Sequence, residues 1–420
     1  MKRLLILGAG TGGTALANRM VRRLPAGWKV TVVDPGRNHL YQPGLLFIPF
    51  GMKDDANNLR PRGNTLKPGV EWIQAAVERI DRERKTVLLA GGDEQAYDLL
   101  VIASGAEIDP SETPGLESPG IHQFYTYEGA KALQSALADF QGGRLLLNVV
   151  EMPIKCPVAP LEFMFLADAY FTQRGLRDKV ELVYATPMVG AFTRPICSRL
   201  LGGMLTERRI RVEPEFSTME VDAEGKRLLS YDERELPFDL LVSVPVHKGA
   251  AFVEASGLGN ELRFVPTHPK TLQSKADPAI FALGDATDLP SSKAGSVAHF
   301  QVETLEINLL KAIRNEPLVE DFDGHANCFV ETGFGKAMLI DFNYETEPLP
   351  GSFPLPVVGP MSLLKETRLN HFGKLSFRWT YWNMLLPGRH IPVSRHMTMT
   401  GKHWPQTKPE ECALCPPEQS

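Results

Sequence analysis

Residues 4–34 read LLILGAGTGGTALANRMVRRLPAGWKVTVVD, and this stretch decides the fold. An apolar run, Leu4 to Leu7, meets a turn in which Gly8, Gly10 and Gly13 form G-x-G-x-x-G; a helical pattern follows, and a second apolar run closes on Asp34. Strand, glycine turn, helix and strand, with an acid at that distance, make the fingerprint of a dinucleotide-binding βαβ unit. Gly8 permits the tight turn, Gly10 lets the backbone approach a pyrophosphate, and Gly13 allows helix and strand to pack closely. The helix N-terminus presents unpaired N–H groups to the anion, and Asp34 suits an adenosine ribose without a 2′-phosphate.

Two further turns extend this unit. Residues 70–106 hold VEWIQAAVERID, KTVLLA and YDLLVIASGA, short strands ending at Ser104-Gly105-Ala106. Such a turn stands where flavoproteins with two dinucleotide-fold domains leave the flavin domain. Residues 278–313, PAIFALGDATDLPSSKAGSVAHFQVETLEINLLKAI, bring another apolar strand to Gly284-Asp285 ahead of a long helix. A carboxylate there reaches ribityl hydroxyls, and the helix N-terminus faces the electron-rich edge of an isoalloxazine. Lys293 is placed to stabilise negative charge on reduced flavin. Joined to the first fingerprint, these turns make FAD the expected cofactor.

Between them a second α/β unit begins with the helix YEGAKALQSALADF and the strand RLLLNVV, residues 127–140 and 144–150. A nicotinamide site would place a second glycine fingerprint after this strand. Glu151-Met-Pro-Ile-Lys-Cys156-Pro-Val-Ala-Pro160 stands there instead, so the backbone cannot approach another pyrophosphate. Cys156 lies between Lys155 and a following helix, and both a cation and a helix N-terminus depress a thiol pKa. Cys197, amid Ile196, Leu200 and Leu201, reads as packing.

The expected architecture is α/β. Two Rossmann-like domains, the second (116–239) inserted in the first (1–115 and 240–315), precede a C-terminal region (316–420) with an amphipathic membrane-interface segment, and cutting at residue 360 should leave the first two folded with FAD bound. With 45 basic and 50 acidic residues the chain has no field suited to nucleic acid. No run of 18 apolar residues offers a spanning helix. Lys2-Arg3 before Leu4–Leu7 resembles a signal peptide only superficially, since the apolar run is short and belongs to the first strand. No signal peptide and an intracellular location are therefore expected. Five cysteines in 420 residues make no disulfide framework, so a bridge here would be redox-active, and no metal site is expected.

Cys328 lies in FDGHANCFVETGFGKAMLIDFNYETEPL, residues 322–349. Residues 361–388, MSLLKETRLNHFGKLSFRWTYWNMLLPG, mix Phe372, Phe377, Trp379, Tyr381 and Trp382 with Lys365, Arg368, Lys374 and Arg378. Basic residues interleaved with aromatics and leucines suit a helix at a membrane surface.

The combination resembles the sulfide:quinone oxidoreductases, monotopic relatives of the disulfide reductases with two dinucleotide-fold domains. GAGTGG with Asp34, ASGA and ALGDA are common to the flavoprotein superfamily. MPIKCPVAP in place of a nicotinamide fingerprint, NCFVETGFGKAMLIDF, and LLKETRLNHFGKL with YWNMLLPGR are more specific. The resemblance implies two redox cysteines on one face of the flavin, mapped to Cys156 and Cys328. Some members carry a third cysteine before the second domain; HQFYTYEGAKAL occupies that place here. Hydrosulfide would open a disulfide or sulfur-bridged pair, giving a persulfide on one cysteine and a thiolate on the other. Two electrons would pass to FAD and then to membrane quinone, with zero-valent sulfur going to a thiol or polysulfide acceptor. Phe372 and Phe377 are the candidates for the quinone wall. The resemblance implies a peripheral protein of the cell membrane and is compatible with a homo-oligomer.

Two other readings start from the same residues. A type II NADH:quinone dehydrogenase would share fold, FAD and membrane surface, but the missing glycine turn and the cysteine pair oppose it. A non-catalytic sulfur relay would use Cys412-Ala-Leu-Cys415 in the proline-rich tail.

Overall fold

The computed structural model describes residues 1–52, 58–355 and 359–404, so Cys412 and Cys415 lie outside the described residues. The fingerprint strand Lys2–Leu7 is central in a five-stranded parallel sheet, ordered Ile280–Ala282, Leu99–Ile102, Lys2–Leu7, Trp28–Val33 and Val70–Ile73. Strands covered on both faces read as continuous apolar runs, which is how Leu4–Leu7 and Leu99–Ile102 read. All eight of these residues are buried. The last strand to join, Ile280–Ala282, comes from far along the chain and pairs with Leu100–Ile102, setting Gly284-Asp285 next to Ser104-Gly105.

A second parallel sheet has the order Ile121–His122, Leu240–Val244, Gly143–Val149, Val180–Ala185 and Ile210–Glu213. Leu240–Val244, which the sequence places with the first unit, is an internal strand of this second sheet. A fully buried strand carries no mark of which sheet it joins, and here Gly143–Val149 covers its edge. The chain crosses back only at Val246–Lys248, which pairs antiparallel with Glu107–Asp109.

Ala326–Gly333 and Lys336–Phe342 form an antiparallel hairpin joined by Met361–Leu363 and Gly351–Phe353. The helix Ala159–Gln173 packs on Ala326–Gly333, and the C-terminal helix Arg368–Thr380 packs on both strands of the hairpin. Thr367 Oγ1 caps that last helix by accepting from Asn370 N at 3.0 Å. Among the described residues no helix is long and apolar enough to cross a membrane.

Candidate active site

The fingerprint glycines do three different things. Gly8 has φ +102°, and a Cβ there would lie 2.5 Å from Ala103 O. At Gly13 a Cβ would lie 2.0 Å from Gly8 O, whereas at Gly10 it would meet nothing within 4 Å. Gly8 and Gly13 are thus fixed by the protein, and Gly10 fronts open space at the start of the helix Thr11–Met20, as a pyrophosphate requires.

Asp34 Oδ2 accepts from Ala9 N at 2.7 Å, Oδ1 accepts from Gly36 N at 2.8 Å, and Arg62 Nη2 lies 3.0 Å from Oδ1. A carboxylate has about four acceptor positions, so these three leave room for a ribose hydroxyl. Among the described residues Ser104 Oγ is buried without a hydrogen-bond partner, and the half-buried Asp285 carboxylate accepts no hydrogen bond. Burial raises the proton affinity of Asp285, a cost that hydroxyl donors would remove. These orphaned groups beside two glycine turns fit FAD. Lys293 differs from its expected role. Its Nζ donates to Asp285 O and Thr287 O, each at 2.8 Å, and lies 3.7 Å from the centre of the Phe264 ring. It braces the turn that presents Asp285.

Cys156 and Cys328 are both free, partly buried thiols, attached to one turn ahead of and within the helix Gly295–Ile313. Cys156 N donates to Lys293 O at 2.7 Å, and Cys328 Sγ lies 3.9 Å from Ser296 Oγ. Cys156 adopts φ +49°, a left-handed conformation costly for a residue with a Cβ. Cys197 is fully buried, far from this turn in sequence, inside the helix Pro195–Glu207.

The thiols are not activated as the sequence suggests. Burial raises both, Cys328 to about 11 and Cys156 further, and Glu162 reinforces the rise at each. The cation acting on them is Lys374 from the C-terminal helix; Lys155 lies instead within electrostatic reach of Asp285 and Glu107. Glu162 and Lys374 form a buried ion pair. Lys374 also donates to Phe329 O at 3.0 Å, and Glu162 Oε1 accepts from Glu331 N at 2.6 Å. Burial works against charge on Lys374, but Glu162, with Cys156 and Glu331, more than offsets it and raises its pKa. Sequence alone did not mark Glu162, and it read Lys374 only as a basic residue of a membrane-surface helix. The available signal was Glu162, six positions beyond Cys156, one of two acids in the otherwise apolar or aromatic LEFMFLADAYF.

The C-terminal aromatics divide by face. Phe372 and Trp379 are 67% and 63% exposed, with Leu369, Lys365 and Arg368 exposed beside them, whereas Tyr381 and Trp382 are core residues at 1% and 5%. Phe377 is half-buried, its ring 6.4 Å from that of Tyr381. Five positions apart, Phe372 and Phe377 point about 140° apart around the helix and do not share one wall. Tyr381 OH lies 2.8 Å from Thr11 Oγ1 and 2.7 Å from His39 Nε2, while Asn18 Nδ2 donates to Leu386 O at 2.8 Å. The C-terminal region therefore closes over the fingerprint helix and is no separable appendage.

Residues 2–150 match the family described as pyridine nucleotide-disulphide oxidoreductase. Across 92% of this chain and 86% of the relative, the sequence is 27% identical to the mitochondrial sulfide:quinone oxidoreductase of Mus musculus. The X-ray structure of the sulfide:quinone oxidoreductase from Aquifex aeolicus superimposes with a TM-score of 0.75 at 20% identity, covering 91% of this chain and 92% of that one. Over most of its length this chain is similar to the sulfide:quinone oxidoreductases. It is an FAD-dependent oxidoreductase. A type II NADH:quinone oxidoreductase of Haemophilus influenzae is 26% identical over a smaller share, 76% of this chain and 82% of the relative. The match to the Mus musculus protein covers more of this chain, 92% against 76%.

Proposed function

We propose that this protein oxidises hydrosulfide to zero-valent sulfur at Cys156 and Cys328 and delivers two electrons to a membrane quinone. The observation that carries the reading is two free cysteines fastened to one helix-initial turn beside an FAD-type site, in a second unit without a nicotinamide fingerprint. When bound, FAD supplies a two-electron acceptor that can be reoxidised by quinone. Gly8, Gly10, Gly13, Asp34, Ser104, Gly105, Gly284 and Asp285 would hold it, with Lys293 bracing Asp285. Hydrosulfide attacks a disulfide or sulfur-bridged cysteine pair, so one cysteine takes the incoming sulfur and the other leaves as thiolate. Lys374 is the charge that stabilises the thiolate, and Glu162 keeps Lys374 protonated. A thiol or polysulfide then removes the zero-valent sulfur.

The domain reading is supported by the two parallel sheets, one built from residues 2–102 and 280–282 and the other from 121–244. We place the insertion accordingly, with its boundary after Val244. For peripheral membrane attachment we propose the stripe Leu369, Phe372 and Trp379 with Lys365 and Arg368, and Phe377, inward of it, for the quinone path. Anaerobic titration tests the function. Sulfide should bleach the flavin absorbance and added quinone restore it, while NADH leaves it unchanged; bleaching by NADH and not by sulfide would favour the dehydrogenase reading.

A further inference from the structure

Beyond the cysteines, a line of buried charge runs from Glu162 and Lys374 outward to the C-terminal helix. Glu162 and Glu331 are 1% and 0% exposed. Lys374 pairs with Glu162 and is also within electrostatic reach of Glu331. His371 Nδ1 lies 3.0 and 2.9 Å from the two carboxylate oxygens of Glu331, and the imidazole is 19% exposed. Two buried carboxylates facing one ammonium leave a negative charge uncompensated, a costly arrangement unless a further proton or cation is available. His371, in contact with Glu331 and partly exposed, is the group that connects this cluster to water. The other charges nearby are Arg368 on its own helix and the pair of Arg208 with Glu366, where Arg208 also donates to Thr332 O.

We propose that Glu331 and His371 form a proton exit from the cysteine pocket to the surface at the C-terminal helix; the proposal rests on the sulfide-oxidising reading above. For each hydrogen sulfide oxidised, one zero-valent sulfur remains bonded to a cysteine, two electrons and one proton pass to the flavin, and one proton is left over. The pocket holds thiols whose proton affinity burial has already raised, so that proton needs a base. Glu162, itself raised by burial, accepts it. Once Glu162 is protonated its hold on Lys374 is lost, so Lys374 gives up its own proton toward Glu331, within its electrostatic reach, and is reprotonated from Glu162; Glu331 passes a proton to His371 Nδ1 and Nε2 releases one to water. Because His371 is one position before Phe372, the exit opens at the edge of the exposed aromatic stripe.

The same contacts could merely tie helix to strand, and the test separates these roles. Full-length protein with FAD bound is mixed with sulfide in weak buffer containing a pH dye, following flavin bleaching and proton release together. In wild type the two should keep pace. His371→Gln keeps a donor to Glu331 but conducts no proton, and should slow both signals about tenfold or more, as should Glu331→Gln. In His371→Ala, imidazole should restore the rate, which no structural tie explains. FAD content and melting temperature serve as fold controls. Wild-type rates in His371→Gln, or a loss in His371→Ala that imidazole leaves untouched while FAD stays bound, would overturn the exit alone. Failure of sulfide to bleach the wild-type flavin would remove the parent reading and the exit with it.

Discussion

The fingerprint turn and the cysteine pocket are built on opposite principles. At the turn, the glycine roles are set within six consecutive residues, and backbone does the work: Gly13 packs against Gly8 O, and Gly10 faces outward. At the pocket, side chains do the work and come from four places, Cys156 with Glu162, Ser296, Cys328 with Glu331, and Lys374. A backbone site is preorganised once its strand and helix form. A side-chain site assembles only when the third sheet and the C-terminal helix are docked, so its electrostatics depend on the whole fold.

The sharpest way to break this comparison is at the thiols. Cys156→Ser and Cys328→Ser should each abolish sulfide-driven quinone reduction, measured as quinol formed, while Cys197→Ser keeps turnover near wild type. Substantial turnover by either of the first two variants removes that cysteine from the chemistry. A smaller effect concerns the exposed stripe. Phe372→Ser and Trp379→Ser should each weaken sedimentation with anionic liposomes by about tenfold, the consequence of withdrawing one partly inserted aromatic, without loss of FAD. Unchanged sedimentation in the double variant would move the membrane contact elsewhere.

The smallest expected effect lies between the two regions. His39, hydrogen-bonded to Tyr381 and near Ala9 O, has its pKa lowered to about 3 by burial and by Arg62. An unfolded histidine takes up a proton near 6.5 and the folded one does not, so this residue costs stability progressively as pH falls from about 6.5 toward 3. Wild type should therefore lose melting temperature relative to His39→Gln on acidification through that window. Parallel curves for the two proteins would show that His39 is not held neutral.

How much of this was legible follows the same division. Gly8, Gly10, Gly13, Asp34 and the Gly284-Asp285 turn stand out because their spacing along the chain is their geometry. The two cysteines are legible as residues but not as acids. Lys155 is adjacent to Cys156 in sequence, yet the cation acting on the thiols, Lys374, arrives 218 positions later by subtraction of residue numbers. The C-terminal helix shows why composition misleads: its aromatics look alike in sequence, but Phe372 and Trp379 face outward while Tyr381, at the end of the helix, hydrogen-bonds to the fingerprint. A pattern of basic and aromatic residues is shared by a membrane stripe and a docking face, and this segment packs one set of its aromatics on the fingerprint while leaving the other exposed. Cutting the chain at residue 360 would thus open the FAD site and remove Lys374.

The central claim is that Cys156 and Cys328 act as one sulfur-holding pair. After anaerobic turnover with sub-stoichiometric sulfide, the protein can be quenched in acid, alkylated, digested and weighed by mass spectrometry. The account predicts peptides carrying Cys156 and Cys328 joined to each other through one or more added sulfur atoms. Recovery of both as separate alkylated thiols, with the flavin already reduced by sulfide, would contradict it.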